Sequence, residues 1–196
     1  MLEVKDATIA VGDQVLATGL SFMARDGQLT CITGPAGSGK TSLLRTLMGF
    51  LPVSSGYVSV DGELLTVKSS QAFRRMMAYL PQQIQLLRHQ LEPPEAPVSK
   101  ADDYTVWGGG ISLKPVAETM PPPLSPDEIL RLAAETLRQS ADKQIIIADE
   151  PAARLSAEQT LQMLDLFRQQ AAAGKTVLIA SRKPQIVAEA QQVISL

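Results

Sequence analysis

Apolar and polar residues alternate in the first part of the chain and later give way to short uninterrupted apolar runs. Alternation over 2–11 and 15–22 predicts two antiparallel strands, each followed by a turn. The uninterrupted runs are typical of strands buried on both faces of a parallel sheet. These runs predict strands at 29–33, 78–80, 144–149, 176–180 and 193–196.

Apolar residues at helical spacing separate these runs. They predict helices at 40–50, 70–77, 126–139, 157–173 and 184–191, and 57–65 is predicted to be a hairpin because Asp61-Gly62 lies at its middle. Strands that alternate with helices indicate an α/β protein. We expect a parallel sheet with helices on both faces, preceded by an N-terminal antiparallel β subdomain.

The prolines are unevenly distributed. Of the 13 prolines in the chain, nine lie between Pro81 and Pro126, and Trp107 is followed by three glycines within the same stretch. Proline fixes φ and removes a backbone donor, so this density disfavours long helices and sheet interiors. We interpret 88–123 as an irregular insertion between two better-ordered halves.

Composition narrows the class of protein. With 196 residues and 45% apolar content the chain can bury one core, and its net charge of −2 argues against charge-driven binding to nucleic acid or anionic membranes. A single cysteine, Cys31, excludes an intrachain disulfide and a multi-cysteine metal site. No apolar run is long enough to span a bilayer and no secretory signal begins the chain, so we expect a single-domain cytosolic protein.

A glycine-rich segment between a predicted strand and a predicted helix matches the phosphate-loop pattern G-x-x-x-x-G-K-[ST]. Its backbone N–H groups would converge on phosphates, Lys40 would reach the β- and γ-phosphates, and Thr41 would ligate Mg²⁺. The alternative is a chance glycine-rich turn. The predicted nucleotide-binding residues are Gly34, Pro35, Ala36, Gly37, Ser38, Gly39, Lys40, Thr41 and Ser42.

Two acids follow the apolar run 145–148. An acid at the carboxyl end of a buried parallel strand lies where ligands bind, so Asp149 is expected to hold Mg²⁺. Glu150, one residue later, is placed to orient or deprotonate a water molecule beside the γ-phosphate. The alternative is a pair of solvated acids in a loop between strand and helix.

The order of these motifs resembles that of the ATP-binding cassette (ABC) ATPase family over essentially the whole chain. The phosphate loop corresponds to Walker A. Tyr79-Leu80-Pro81-Gln82 looks like the family's Q-loop, and Asp149-Glu150-Pro151 looks like its Walker B segment. Leu124-Ser125-Pro126-Asp127-Glu128 occupies the place of the signature, usually LSGGQ, and Ser181-Arg182 the place where the family usually has Thr-His.

The resemblance implies the P-loop NTPase fold, ATP and Mg²⁺ as ligands, and roles for individual residues. Catalysis would fall to Glu150, Lys40 and Gln82. The metal would be held by Thr41, Gln82 and Asp149. Ser125 becomes a candidate for the trans site, where the signature of one cassette faces the nucleotide of the other. Arg182 becomes a candidate for the switch position. The implied domain spans 1–196, with 1–82 and 143–196 as the nucleotide-binding core and 83–142 as a shortened, proline-rich helical subdomain.

The resemblance also implies partners. Family members form sandwich dimers and couple to an integral membrane subunit, so we expect a homodimer or heterodimer of cassettes on the cytoplasmic face of a membrane, without nucleic acid. The membrane subunit would dock near Gln82, in a groove that includes Met76, Met77, Ile84 and Leu87. The alternative for the two methionines is ordinary core packing.

The sequence departs from the family at four places. Both signature glycines are absent, Pro126 has no N–H to donate, and Ser125 with Glu128 also fits a helix capping box. Arg182 replaces the switch histidine, and arginine only donates hydrogen bonds; the alternative is a surface arginine.

The other two departures concern the D-loop and the base. Ser156 stands where the family has an aspartate and suits an N-cap, and Val11 stands where an aromatic usually stacks on adenine. The leading hypothesis is therefore an ABC transporter ATPase, slow because of these changes. The alternative is a degenerate cassette that binds ATP as a regulatory or scaffold subunit. A soluble ABC protein acting on DNA or ribosomes is disfavoured by the net charge of −2.

Overall fold

The computed structural model describes residues 1–12, 14–87 and 123–196. Its strands are β1 (Leu2–Val11), β2 (Gln14–Ala24), β3 (Leu29–Thr33), β4 (Ser55–Val60), β5 (Glu63–Leu64), β6 (Met77–Leu80), β7 (Ile145–Asp149), β8 (Thr176–Ala180) and β9 (Gln192–Ser195). Its α-helices are α1 (Lys40–Leu47), α2 (Ser70–Arg75), α3 (Pro126–Gln139), α4 (Ala157–Ala172) and α5 (Pro184–Glu189), and Ile84–Leu87 forms a 3₁₀ turn.

An antiparallel sheet with the order β2-β1-β4-β5 contains the N-terminal part of the chain. Its inner face carries the alternating apolar residues of β1, which are buried from Leu2 to Ile9. The pairing of β1 and β4 shifts register between Lys5 and Thr8. Gly56 lies at this bulge with φ 74°, and a Cβ there would lie 2.3 Å from the carbonyl oxygen of Lys5, so only glycine fits.

The second sheet is parallel, with the order β6-β7-β8-β3-β9. Every residue of β7 and β8 is buried, as expected for strands covered on both faces. One face packs against α3, α4 and α5 around Phe167. The other packs against α1, α2 and the antiparallel sheet around Phe73. The predicted α/β fold, with helices on both faces and an antiparallel sheet, is confirmed.

Several predicted boundaries are wrong by a few residues. The first helix was expected to reach residue 50 but ends at Leu47, because Gly49 adopts φ 71° and its N–H bonds to the carbonyl of Thr46. The fifth helix ends at Glu189 instead of 191. The expected hairpin at 57–65 forms from β4 and β5, turning at Asp61-Gly62.

Three of the four apolar residues expected near a docking groove lie in the protein core. Met77, Ile84 and Leu87 are 6–7% exposed, and Met76 packs against the core as a partly buried residue. The structure therefore favours core packing for this set. No helix in the described ranges is both long enough and apolar enough to cross a bilayer.

Two helices begin with complete capping boxes. Ser125 accepts from the N–H of Glu128 at 3.3 Å, and its own N–H donates to the Glu128 carboxylate at 2.8 Å. Ser156 and Gln159 make the same reciprocal pair at the start of α4. The N-cap prediction is confirmed at both serines.

The cap at Ser125 predicts a measurable effect on stability. We expect Ser125→Ala to lower the free energy of unfolding in urea by about 1 kcal/mol, because α3 loses the acceptor for an N-terminal amide. Ser156→Ala is the matched control at an equivalent cap and should cost a similar amount. Unchanged stability of the Ser125 variant beside a destabilised Ser156 variant would contradict the capping role.

Candidate nucleotide-binding site

The phosphate loop connects the carboxyl end of β3 to the N-terminus of α1. Two of its glycines are held where a side chain would not fit. A Cβ on Gly34 would lie 2.7 Å from Ser38 Oγ, and a Cβ on Gly39 would lie 2.9 Å from Leu16 Cβ, on β2 of the other sheet. The loop therefore packs tightly against its own Ser38 side chain, and β2 lies against it.

Lys40 is held over the loop. Its side chain is only 7% exposed, and its ammonium group donates to the carbonyl oxygens of Gly34 at 2.9 Å and Pro35 at 2.8 Å. The same ammonium lies 4.0 Å from Oε1 of Glu150. A buried cation whose bonds are to loop carbonyls can exchange them for stronger charge-assisted bonds to phosphate oxygens.

Thr41 and Asp149 meet although they are far apart in the sequence. The Thr41 hydroxyl donates to Asp149 Oδ2 at 2.7 Å, and Asp149 is 2% exposed at the end of β7. The other carboxylate oxygen, Oδ1, is buried and has no hydrogen-bond partner among the described residues. A buried, unpaired carboxylate oxygen beside a hydroxyl fits the oxygen ligands that Mg²⁺ prefers. The donor set therefore suits the ion.

Burial raises the pKa of Asp149 above its ordinary 3.8; the Thr41 hydrogen bond opposes this shift and the nearby charge of Glu150 adds to it. The folded state disfavours the ionised form of Asp149. The free energy of unfolding therefore falls as pH rises from 3.8 to the raised pKa of this carboxyl, where ionisation in the folded state is reached. We expect Asp149→Asn to be more stable than the wild type at pH 7, without divalent cation or nucleotide.

This stability difference should shrink as pH falls towards 3.8, because the wild-type carboxyl then becomes neutral. Urea unfolding across pH measures it. Asparagine retains an acceptor for the Thr41 hydroxyl, so the substitution removes the charge and keeps this hydrogen bond. A less stable Asp149→Asn at pH 7 would contradict the prediction.

Glu150 and Arg182 face each other from the ends of neighbouring strands. Arg182 Nε donates to Glu150 Oε1 at 3.1 Å, and this oxygen is also the one closest to Lys40. The Glu150 carboxylate is 9% exposed, whereas the Arg182 side chain is 55% exposed. Glu150 also adopts φ 46°, a backbone region rarely used by residues other than glycine, asparagine and aspartate. The position of this carboxylate is therefore closely constrained.

A cavity of about 380 Å³ brings most of the predicted residues together. Gln82, two residues after β6, lines this cavity and also a neighbouring cavity of about 180 Å³. The lining residues of the larger cavity are Val11, Gln14, Leu16, Ala36, Gly37, Gly39, Lys40, Thr41, Ser42, Gln82, Glu150 and Arg182. Among these, Gln14 and Leu16 were missed in the sequence, because no local motif marks them and only their contact with the loop reveals them.

The remaining predicted residues lie outside this lining. Gly34, Pro35 and Ser38 shape the loop, and Asp149 joins the site through Thr41. Ser125 lines neither cavity and is engaged in the cap of α3. Within one chain, therefore, the structure brings the predicted phosphate-loop, metal-binding and catalytic residues together and leaves Ser125 apart from them.

Sequence comparison identifies related proteins. The family model described as ABC transporter matches residues 17–157. A hemin import ATP-binding protein, HmuV of Methylobacillus flagellatus, is 30% identical over 92% of this chain and 73% of its own. YvrA of Bacillus subtilis, an uncharacterized ABC transporter ATP-binding protein, is 31% identical over 80% of this chain. The chain spans 39% of YvrA, so it matches well under half of that relative.

Solved structures share the fold at low sequence identity. A bacterial Atm1-family ABC exporter with ATP bound matches all of this chain and 37% of its own, with a TM-score of 0.70 and 18% identity. A dimeric bacterial ABC transporter cassette matches all of this chain and 94% of its own, with a TM-score of 0.66 and 18% identity. With the family model covering residues 17–157, the chain belongs to the ABC transporter family, as an ATP-binding cassette.

Proposed function

We propose that this chain is the ATP-binding subunit of an ABC transporter, which binds and hydrolyses Mg-ATP to drive a separate membrane subunit. The observation that carries the proposal is the meeting of the phosphate loop with Glu150 around one cavity, together with the hydrogen bond from Thr41 of that loop to Asp149. Thr41 and Asp149 are 108 positions apart in the sequence, and the parallel sheet brings them together.

The triphosphate would be bound by the backbone N–H groups of the loop, by the N-terminus of α1 and by Lys40. Thr41 and Asp149, with Gln82 from the lining of the cavity, would hold Mg²⁺. Bound Mg²⁺ supplies positive charge that stabilises the developing negative charge on the phosphate oxygens. Phosphoryl transfer needs little beyond positioning and charge stabilisation, and both are available here.

Glu150 would act as the general base. Its carboxylate accepts a proton from water as the water oxygen bonds to the γ-phosphorus, and the bond to the bridging oxygen breaks to release ADP. Arg182 donates to the same carboxylate and cannot accept a proton, so it would neutralise charge without serving as base.

The partners belong to the proposal as well. The dimeric cassette structure supports pairing with a second cassette, and relatives described as ATP-binding/permease proteins carry both functions in one chain. We propose a homodimer or heterodimer of cassettes that is held on the cytoplasmic face of a membrane by an integral membrane subunit. No nucleic acid takes part.

A degenerate regulatory or scaffold cassette is the second candidate, and it is favoured by the start of α3. Ser125 is engaged in the cap, Pro126 has no N–H, and Asp127 and Glu128 place negative charge in the first turn. A helix start of this kind is a poor site for the phosphate of a facing subunit. A homodimer would therefore hydrolyse ATP slowly. A partner cassette with a glycine-containing signature would instead complete the nucleotide site formed by this chain's phosphate loop.

The experiment measures Mg-ATP binding and phosphate release by the purified chain beside Glu150→Gln. The transporter proposal expects micromolar to millimolar binding and turnover above that of the variant. Binding with turnover equal to that of Glu150→Gln, alone and with an added standard cassette, would establish the scaffold instead. Absence of Mg-ATP binding would reject both.

A further inference from the structure

The smaller cavity of about 180 Å³ adjoins the nucleotide cavity, because Gln82 and Glu150 line both. Its volume is below the roughly 300–1,000 Å³ of sites that hold drug-sized ligands, so a second nucleotide would not fit. An ion with five non-hydrogen atoms needs roughly the room of five waters, at about 30 Å³ each, and does fit. The size of this cavity therefore suits a small ion.

The lining of the smaller cavity includes both buried and exposed residues. The buried ones are Ile84, Ile129, Glu150 and Pro151, and the exposed ones are Gln82, Gln83, Ala153 and Arg154. No residue of the phosphate loop is among them. The cavity therefore connects the carboxylate proposed as the general base to the protein surface, on a side that the phosphate loop does not line.

The polar groups of this lining favour an oxyanion. Arg154 carries a permanent positive charge and five N–H donors, and the amides of Gln82, Gln83 and Gln85 add two N–H donors each. None of these four side chains makes a hydrogen bond or an ion pair with another described residue. Guanidinium groups bind phosphate oxygens through charge-assisted hydrogen bonds, which are stronger than neutral ones. The unengaged donors therefore suit inorganic phosphate.

Glu150 is the acid among the described lining residues, and its charge determines when an anion is tolerated. In the hydrolysis proposed above, its carboxylate takes a proton from water as the water oxygen bonds to the γ-phosphorus and the bond to ADP breaks. Glu150 is therefore neutral when inorganic phosphate has just formed. Loss of the proton to solvent restores the negative charge, which then repels the phosphate away from Glu150.

We propose that the smaller cavity receives the inorganic phosphate formed by hydrolysis and holds it through Arg154 on its way to solvent, while ADP stays at the phosphate loop. The inference rests on the proposed function, because it concerns the product of that reaction. It assigns product binding to Arg154, with supporting hydrogen bonds from the amides of Gln83 and Gln85.

The first test titrates inorganic phosphate into the full chain saturated with Mg-β,γ-imido-ATP, which fills the phosphate loop and is not hydrolysed. Calorimetry should show one phosphate bound per chain, more tightly in Glu150→Gln than in the wild type, because the glutamine is neutral like the protonated carboxylate. Adding Arg154→Gln to the Glu150→Gln chain should weaken phosphate binding about fivefold or more, since a charge-assisted bond is lost.

Arg131→Gln in the same chain is the matched control. Arg131 is an exposed arginine on α3 that lines neither cavity, so phosphate binding should not change. No phosphate binding by the loaded chains, or equal binding with and without Arg154, would overturn the inference and leave the proposed function standing. Failure of the chain to bind the nucleotide analogue would reject the proposed function itself, so the two failures are distinguishable.

A second test follows the product itself. In a single turnover of Mg-ATP, cleavage is measured by acid quench and phosphate release by a fluorescent phosphate reporter. We expect release to lag behind cleavage in the wild type and in Arg131→Gln, and the lag to shorten about threefold or more in Arg154→Gln, since weaker binding mostly means faster dissociation. No lag in the wild type, or the same lag in both variants, would show that product phosphate is not held here and overturn the inference.

Discussion

Replacing Glu150 by glutamine should lower the turnover number for Mg-ATP by about 100- to 10,000-fold, the usual contribution of a general base. Glutamine keeps the size of the side chain and an acceptor for Arg182 Nε, but its amide cannot take a proton from water. Phosphate release under saturating nucleotide measures the effect. Wild-type turnover from this variant would show that Glu150 is not the base.

Nucleotide binding should survive this substitution. Removing the negative charge near Lys40 eliminates a repulsion on the terminal phosphate, so we expect Mg-ATP to bind at least as tightly as to the wild type. Glu158→Gln, at an exposed position in the first turn of α4, is the matched control and should leave both turnover and binding unchanged. A similar loss of turnover in Glu150→Gln and Glu158→Gln would indicate a general effect of charge and not a role of Glu150 as base.

Replacing Lys40 by alanine should raise the dissociation constant for Mg-ATP by about 100-fold or more. The ammonium group would contribute charge-assisted hydrogen bonds to two phosphates, each typically about 1.5–3 kcal/mol. Equilibrium titration with Mg-ATP measures the loss, and turnover should fall with it.

The control for this variant is Lys68→Ala, because Lys68 is exposed and lies outside the cavity. Lys40 also donates to the carbonyls of Gly34 and Pro35, so urea unfolding should accompany the titration to show that the loop variant remains folded. A folded Lys40→Ala protein that binds Mg-ATP as tightly as the Lys68 variant would exclude the proposed phosphate contact.

The parts of the site that sequence could predict are those made by neighbours in the chain. The phosphate loop is one continuous segment. Capping at Ser125 depends on a residue three positions later, and an acid directly after a buried strand must lie at the sheet edge. Each prediction rests on local geometry, which the sequence specifies directly.

What sequence could not predict depends on tertiary placement. The bond between Arg182 and Glu150 exists because β7 and β8 are adjacent in the sheet, and the phosphate loop lies near them because β3, early in the chain, is the other neighbour of β8. The approach of Leu16 to Gly39 joins two sheets. Apolar patterns predicted the strands but not their neighbours, because burial on both faces looks the same at every interior position of a parallel sheet.

The position of β6 has a consequence for motion. Among the described strands it lies at the edge of the parallel sheet and pairs only with β7, while β7 is held from both sides. An edge strand opens at lower free energy than a central one, and its amide hydrogens exchange with solvent sooner. Gln82 lies two residues after the end of β6. A displacement of this glutamine would therefore disturb only the β6–β7 hydrogen bonds. The rest of the sheet, with Asp149 on it, would keep its register.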